Sequence, residues 1–358
     1  MNNVRLHGLS ILRIISMFGI IGLHVMNAGC AFDKTTLMTL SQLPISIFYI
    51  LCSSSVNIFA MLSGYLYVDK HTVKYKNILK LIFIVFFYSV SITIFFWIFK
   101  RDVFSSPLDI IKAICPPLAG DLWYVTCYVL LFVLIPFINK LINSLTINQF
   151  KILIILLMLF TSVLPVFLLE DFFYLNQGYS TAWLIVCYLT GAYIKRLNKK
   201  TSVFKLSLIC LLCVCAVMLF AAVVWIVFGK IDVYNFLTLY ISPFMVIISI
   251  VSIMIFAKFK LKNRVIIKII TSLSNSSFDA YILHCHALIF GMLISNNFVF
   301  IRNLHPVFKL PTILVSIIAI YLISWLISQI RSFGFKITRI DKVFDKLGTR
   351  LDSLLNKN

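Results

Sequence analysis

The chain has 358 residues, 61% of them hydrophobic and only 12% charged, with 33 phenylalanines. No water-soluble domain needs that much apolar surface, so the composition argues against a soluble enzyme or binding module and for a polytopic membrane protein. The formal charge of +20 does not signal nucleic acid, because the basic residues fall between apolar runs, where membrane topology puts them.

In chain order, ten apolar segments are long enough to span: about 9–28, 43–66, 78–99, 121–139, 151–169, 181–197, 204–228, 234–257, 272–296 and 311–330. Each supplies the roughly 17–25 residues that about 30 Å of hydrocarbon demands. The expected fold is therefore all-α, with about ten transmembrane helices in a single membrane domain over 1–330. The first segment, an apolar run of about 20 residues followed by AGCAFDKTT with no convincing small-residue cleavage site, is not expected to be a cleavable signal. If the loops alternate sides, 24 of the 32 basic residues fall on one side and seven on the other, with Arg13 inside a span. The positive-inside rule then makes both termini cytoplasmic. Residues 331–358, with apolar residues at helical spacing and alternating charges, read as a basic amphipathic tail at the cytoplasmic interface.

The first segment, LSILRIISMFGIIGLHVMNA, carries two ionisable groups, Arg13 and His24, eleven residues apart. That is about three helical turns, so both project from one stripe, roughly 16 Å apart along the axis. Such groups are costly in hydrocarbon and usually face a bundle interior or an aqueous cavity. Arginine suits phosphate recognition. Histidine exchanges a proton near neutral pH or accepts an acyl group. The bland alternative is a snorkelling arginine and a hydrogen-bonded bundle histidine. The run Ser53-Ser54-Ser55-Val56-Asn57 is strongly polar for a span and is expected to pack helices or line a cavity.

Further along, Asp121 and Trp123 open the fourth segment at the external face, where an aspartate can meet an acceptor sugar and a tryptophan can stack on it or anchor the interface. Glu170 and Asp171 sit on an external loop, as solvated charges or as acid and base on the acceptor side. In the ninth segment Tyr281 and His284 share a face, while Asp279 and His286 share another, so Asp279 is a candidate to orient His286. His284 and His286 point about 200° apart on one helix, so no metal is expected from them. The nine cysteines lie mostly in apolar runs and read as small hydrophobes, Cys210-x-x-Cys213-x-Cys215 included, since it lacks partner ligands. His7, His71 and His305 sit at loops or termini and are expected to be solvated.

Four stretches, taken together and in order, resemble the membrane acyltransferase-3 family, which O-acylates sugars of surface glycans. They are Arg13-x10-His24, LSGYL at Leu62 to Leu66, DLWYVTCYVLLFVLIP at Asp121 to Pro136, and SFDAYILHCHALI at Ser277 to Ile289. The chain departs from the family after the second span, with Lys74-Tyr75-Lys76 and Lys80-Leu81 where an arginine-rich element and a proline often stand. The resemblance implies acyl-CoA, most often acetyl-CoA, as a cytoplasmic co-substrate, with no permanently bound cofactor. It implies that Arg13 contacts the donor phosphates and that His24 is catalytic, as general base or transient acyl carrier. Lys80, Tyr281 and His284 are the further donor-side candidates, Asp121 and Trp123 the acceptor-side ones. The acceptor would be a surface glycan or its lipid-linked precursor, reached from the bacterial plasma membrane, and a homo-oligomer is an open option. The rival readings are a succinyltransferase acting on a poly-N-acetylglucosamine-type polymer, and a non-catalytic glycan flippase.

Overall fold

The computed structural model describes residues 7–33, 39–70, 74–229 and 232–355. Arg5, Lys34, His71, Lys230 and Lys357, which enter the loop and charge expectations, lie outside them. The described residues contain helices and no strand. In a lipid solvent this is expected, since a helix satisfies its backbone hydrogen bonds within one segment.

We label the main helices α1 (His7–Met26), α2 (Leu43–Ser53), α3 (Ser55–Tyr67), α4 (Tyr75–Phe99), α5 (Pro107–Ile114), α6 (Trp123–Ser144) and α7 (Ile147–Leu168). There follow α8 (Thr181–Leu197), α9 (Val203–Phe228), α10 (Pro243–Phe256), α11 (Arg264–Asn275), α12 (Ser277–Cys285), α13 (Pro306–Ile337) and α14 (Ile340–Leu355). Among the described residues, seven units are long and apolar enough to cross a membrane: α1, α2–α3 together, α4, α6, α7, α9 and α13. The pair Arg264–Cys285 and Ala287–Asn303, bent by 65°, makes an eighth.

Each of the ten predicted segments falls on helix, but not all on straight helix. The segment over 234–257 is broken, with α10 only 14 residues long, because Ser242 and Pro243 start a new helix there. The segment over 272–296 bends after Cys285, where His286 takes an extended conformation (φ −61°, ψ 128°). No proline or glycine marks that bend. The last predicted span continues past residue 330: α13 runs 32 residues through Arg331 to Ile337, so the predicted boundary between domain and tail falls inside a helix.

The helices sort into a core and a ring. The membrane-length windows of α1 and α2–α3 are 72% and 78% buried, against 22% for α9 and α13, which turn most of their apolar surface outward. The first helix packs on α2, α3, α10, α11, α12 and α13 and is the hub of the bundle. Its far end is pinned by the chain beyond the bend: Asn296 and Phe298 donate their N–H groups to the carbonyls of Ala28 and Gly29 (2.8 and 2.9 Å), and Arg302 donates to the Cys30 carbonyl.

In the core, α3 and α8 approach each other backbone to backbone. A Cβ on Gly64 would lie 1.9 Å from the Tyr188 carbonyl oxygen, and one on Gly191 the same distance from that of Met61. Small residues let membrane helices meet backbone to backbone. Gly191→Val is therefore expected to push α3 off α8 and destabilise the protein by about 1–3 kcal/mol or more. Thermal unfolding in detergent checks it, and a melting point equal to that of the parent would count against this packing.

The polar run in the second span serves both packing and the α2–α3 break. Ser54 turns its hydroxyl back to the Leu51 carbonyl (2.7 Å). Asn57, fully buried, donates to the Tyr240 carbonyl at the α10 break (2.7 Å) and accepts from Trp183 Nε1 (2.9 Å).

Beyond α13 the chain forms the helix α14, which docks on α4. Asp352 accepts the Tyr75 N–H (2.7 Å), and Asp345 pairs with Lys76 (3.1 Å). The first contact supplies an acceptor to an orphan donor at a helix N-terminus that has no side-chain cap of its own, and its charge suits the helix dipole.

Candidate active site

His24 stands on the last turn of α1 and meets the end of α12, which the bend brings to it. His24 Nδ1 lies 3.0 Å from His284 Nε2. The Cys285 Sγ is 3.6 Å from the first atom and 3.4 Å from the second. Phe290, beyond the bend, packs edge-on against the His24 ring at 5.3 Å between centroids. His284 and Cys285 are buried and His24 is half-buried.

The hydrogen bonds decide which nitrogen carries which proton. His284 Nδ1 lies 2.5 Å from the Ala280 carbonyl oxygen, one turn back on α12. A carbonyl only accepts, so this nitrogen carries the hydrogen, and Nε2 of the neutral ring is bare. His24 Nδ1–H therefore donates to His284, which leaves His24 Nε2 with a free lone pair. The chain from Ala280 through His284 to His24 can orient an imidazole to act as a base, with a histidine where hydrolase triads use a carboxylate.

Two adjoining cavities open on the Arg13 end of α1. The first, of about 280 Å³, is lined by Arg13, Ser63, Tyr67, Tyr124 and Tyr128 among others. The second, about 440 Å³, is lined by Lys80, Ser272, Asp279, Gln329 and Arg331, and shares Asn77, Leu81, Asn275 and Phe278 with the first. Among the described residues no carboxylate pairs with Arg13. The buried Tyr124 and Ser274 hydroxyls in the first cavity wall have no hydrogen-bond partner among the described residues. A half-buried cation without a counter-charge among the described residues, facing a cavity with unsatisfied hydroxyls, can bind an anion. Lys80 adds positive charge to the second cavity.

Tyr281 does not line these cavities. It is buried between them and the histidines, its ring 5.9 Å from Tyr124 and 6.2 Å from His284. His284, a donor-side candidate by resemblance, sits against His24 itself.

A third cavity, about 330 Å³, opens beside the other end of α1 and is lined by Asn27, Tyr49, Gln177, Tyr179, Asn235 and Tyr240 among others. Leu23 lines it too, so the turn that carries His24 borders this space. Trp123 joins its aromatic wall from behind, with ring centroids 4.7 Å from Tyr179 and 6.3 Å from Tyr240. Asp121 is exposed on the turn before α6. Asp171 organises the loop that bears Gln177 and Tyr179, accepting the N–H groups of Leu175 (3.0 Å) and Gln177 (2.9 Å). Glu170 is exposed.

Two expectations are corrected. Asp279 does not orient His286. It pairs with Arg331 at 3.0 Å, with both side chains under 9% exposed, and also accepts from Ser328 (3.0 Å). His286 instead donates Nε2–H to the Ala113 carbonyl (3.0 Å), because the bend turns it away from the α12 face that carries Asp279. That carbonyl ends α5, an amphipathic helix begun by a capping box in which Asp109 accepts the Ser106 N–H (2.9 Å). The Ser106 hydrogen bonds, its side chain first, hold the exposed Asp109 carboxyl below its ordinary range. His7, expected to be solvated, is half-buried with Nδ1 unpartnered among the described residues, whereas His305 is exposed.

Sequence reasoning passed over Arg331, treated as a tail charge, and the tyrosines of the third cavity. A signal for Arg331 existed: Tyr321, Ser324, Ser328 and Arg331 recur at helical spacing through an apolar run. Nothing local marks Tyr49, Tyr179 and Tyr240, which converge from three distant stretches.

Residues 6–329 match a family model described as an acyltransferase domain, of the acyltransferase-3 type. Neither the curated proteins nor the solved structures give a match.

Proposed function

This chain belongs to the acyltransferase-3 family, and from that premise we propose that it moves an acyl group, acetyl in the simplest case, from cytoplasmic acyl-CoA to a hydroxyl of an envelope polysaccharide or its lipid-linked precursor. The observation that carries this reading is the imidazole relay. A half-buried histidine whose one nitrogen is committed to His284 at 3.0 Å leaves its other nitrogen to act as a base.

In this mechanism the nucleotide end of the donor enters the paired cavities and lays its phosphates near Arg13 and Lys80. The positive-inside bias of the loops supports a cytoplasmic opening there. An extended pantetheine arm is comparable in length to the roughly 16 Å that separates Arg13 from His24 along α1. The acceptor sugar occupies the opposite cavity, where tyrosine faces and amide side chains offer what a pyranose ring binds: apolar stacking area and hydrogen bonds. His24 Nε2 takes the proton of the acceptor hydroxyl as its oxygen attacks the thioester carbonyl. Collapse of the adduct breaks the C–S bond, and the leaving CoA thiolate recovers the proton from the imidazolium. His284 is a positioning residue that acts through His24.

The donor half is tested by Arg13→Ala in proteoliposomes supplied with acyl-CoA and acceptor glycan. Loss of a charge-assisted phosphate contact is worth about 1.5–3 kcal/mol, so KM for acyl-CoA should rise roughly 10- to 150-fold. An unchanged KM would remove Arg13 from the donor site. Mass analysis of the released ester separates acetyl from succinyl transfer.

A further inference from the structure

We propose that His24, His284 and Cys285 form a binding site for a borderline-soft transition-metal ion such as Zn²⁺ or Cd²⁺, and that the bound ion switches transfer off. The ligand atoms are already gathered: His24 Nδ1, His284 Nε2 and Cys285 Sγ all lie within 4.8 Å of one another. Tetrahedral zinc, with bonds of about 2.0–2.1 Å to nitrogen and about 2.3 Å to sulfur, separates its ligands by about 3.3–3.4 Å (N to N) and about 3.5–3.6 Å (N to S). The separations here are 3.0 Å between the nitrogens and 3.6 and 3.4 Å from sulfur to each. Opening the histidine pair by a few tenths of an ångström completes a three-ligand face.

The support behind the ligands points the same way. A metal-binding histidine usually donates its other ring N–H to a carbonyl or carboxylate, which fixes the ring, and His284 does this to Ala280. The exclusion of metal from His284 and His286, two apart on a helix, does not extend to this set. It takes its third ligand from α1 and its pair from the last two residues before the bend.

Binding and loss of activity follow from one proton balance. The ion bonds to His24 Nδ1, so the proton that this nitrogen gave to His284 moves to Nε2, where a neutral imidazole bound through Nδ1 must carry it. Cys285 binds as thiolate and gives up its thiol proton, so one proton is released for each ion taken up, and binding strengthens as pH rises. His24 Nε2 then has no lone pair to offer an acceptor hydroxyl. The switching rests on the acyltransfer reading above; the binding does not.

The test is titration of the full-length protein in detergent with Cd²⁺, following the ultraviolet thiolate-to-cadmium charge-transfer band. The expected result is one ion bound per chain with a band that Cys285→Ser abolishes and that a Cys210→Ser/Cys213→Ser/Cys215→Ser variant keeps. A band that survives Cys285→Ser, or disappears in the triple variant, overturns the site. X-ray absorption of the zinc-loaded unmodified chain needs no variant. It should show one sulfur at about 2.3 Å beside nitrogen at about 2.0–2.1 Å, and a shell without sulfur overturns the site equally. Zn²⁺ should abolish acyl transfer at one equivalent, with recovery on chelation. One bound ion with the expected ligands and undiminished transfer would keep the site and overturn the switching.

Discussion

His24→Ala should lower the rate of acyl transfer by about 10²–10⁴-fold, the range that a positioned general base supplies. The relay sharpens the expectation. His284→Ala should slow transfer less, because it leaves the base in place and removes only what orients it. The double variant should be no slower than His24→Ala alone, since residues that act as a unit lose their contribution once. Rates of ester formation for the three variants, at equal amounts of folded protein, check this. Additive losses would mean that His284 acts on the reactants by a route of its own.

Arg331→Met should be among the most destabilising substitutions in the chain. It strips the partner from Asp279, whose side chain is 6% exposed within the bundle. Breaking a buried ion pair on one side costs about 3–5 kcal/mol, because the charge left behind is neither solvated nor paired. Ser328 still donates to the carboxylate, so the deficit belongs to charge more than to hydrogen bonding. Replacing both members, Arg331→Met with Asp279→Leu, should recover most of the loss, since a buried pair exchanged for apolar groups of similar size is often nearly neutral. Thermal unfolding of the single and double variants reads this directly. A double variant as unstable as the single one would show that Arg331 holds the bundle through other contacts, such as Tyr88, to which it donates at 3.0 Å.

How much of this was legible in the sequence follows from what each feature depends on. Helical segments were, because hydrocarbon thickness and backbone satisfaction act on contiguous residues. Arg13 and His24 were, because a charged and a titratable side chain in one apolar run stand out without any tertiary knowledge. The bend at His286 was not: His-Cys-His-Ala carries no proline or glycine, and the extended backbone at His286 is maintained by its neighbours, including the Ala113 carbonyl on its ring. Without the bend, His284 reads as a residue on a straight span. With it, His284 and Cys285 end a helix that points at His24. Arg331 was misplaced for a related reason, since positive charge beside an apolar run signals a boundary only when no buried acid is waiting for it, and Asp279 lies 52 positions away in the chain. The third cavity shows the same dependence on distance, its walls coming from α2, from the loop that Asp171 ties, and from the break before α10.

The most direct test of the central claim is the base-labile O-acyl content of surface glycan, measured by NMR in cells that carry the protein, His24→Ala or Arg13→Ala at matched membrane levels. The account predicts ester signal with the unaltered chain, its disappearance with His24→Ala, and a strong reduction with Arg13→Ala. Full O-acylation in cells carrying only His24→Ala would contradict it, because the proposed mechanism assigns the proton of the acceptor hydroxyl to His24 Nε2.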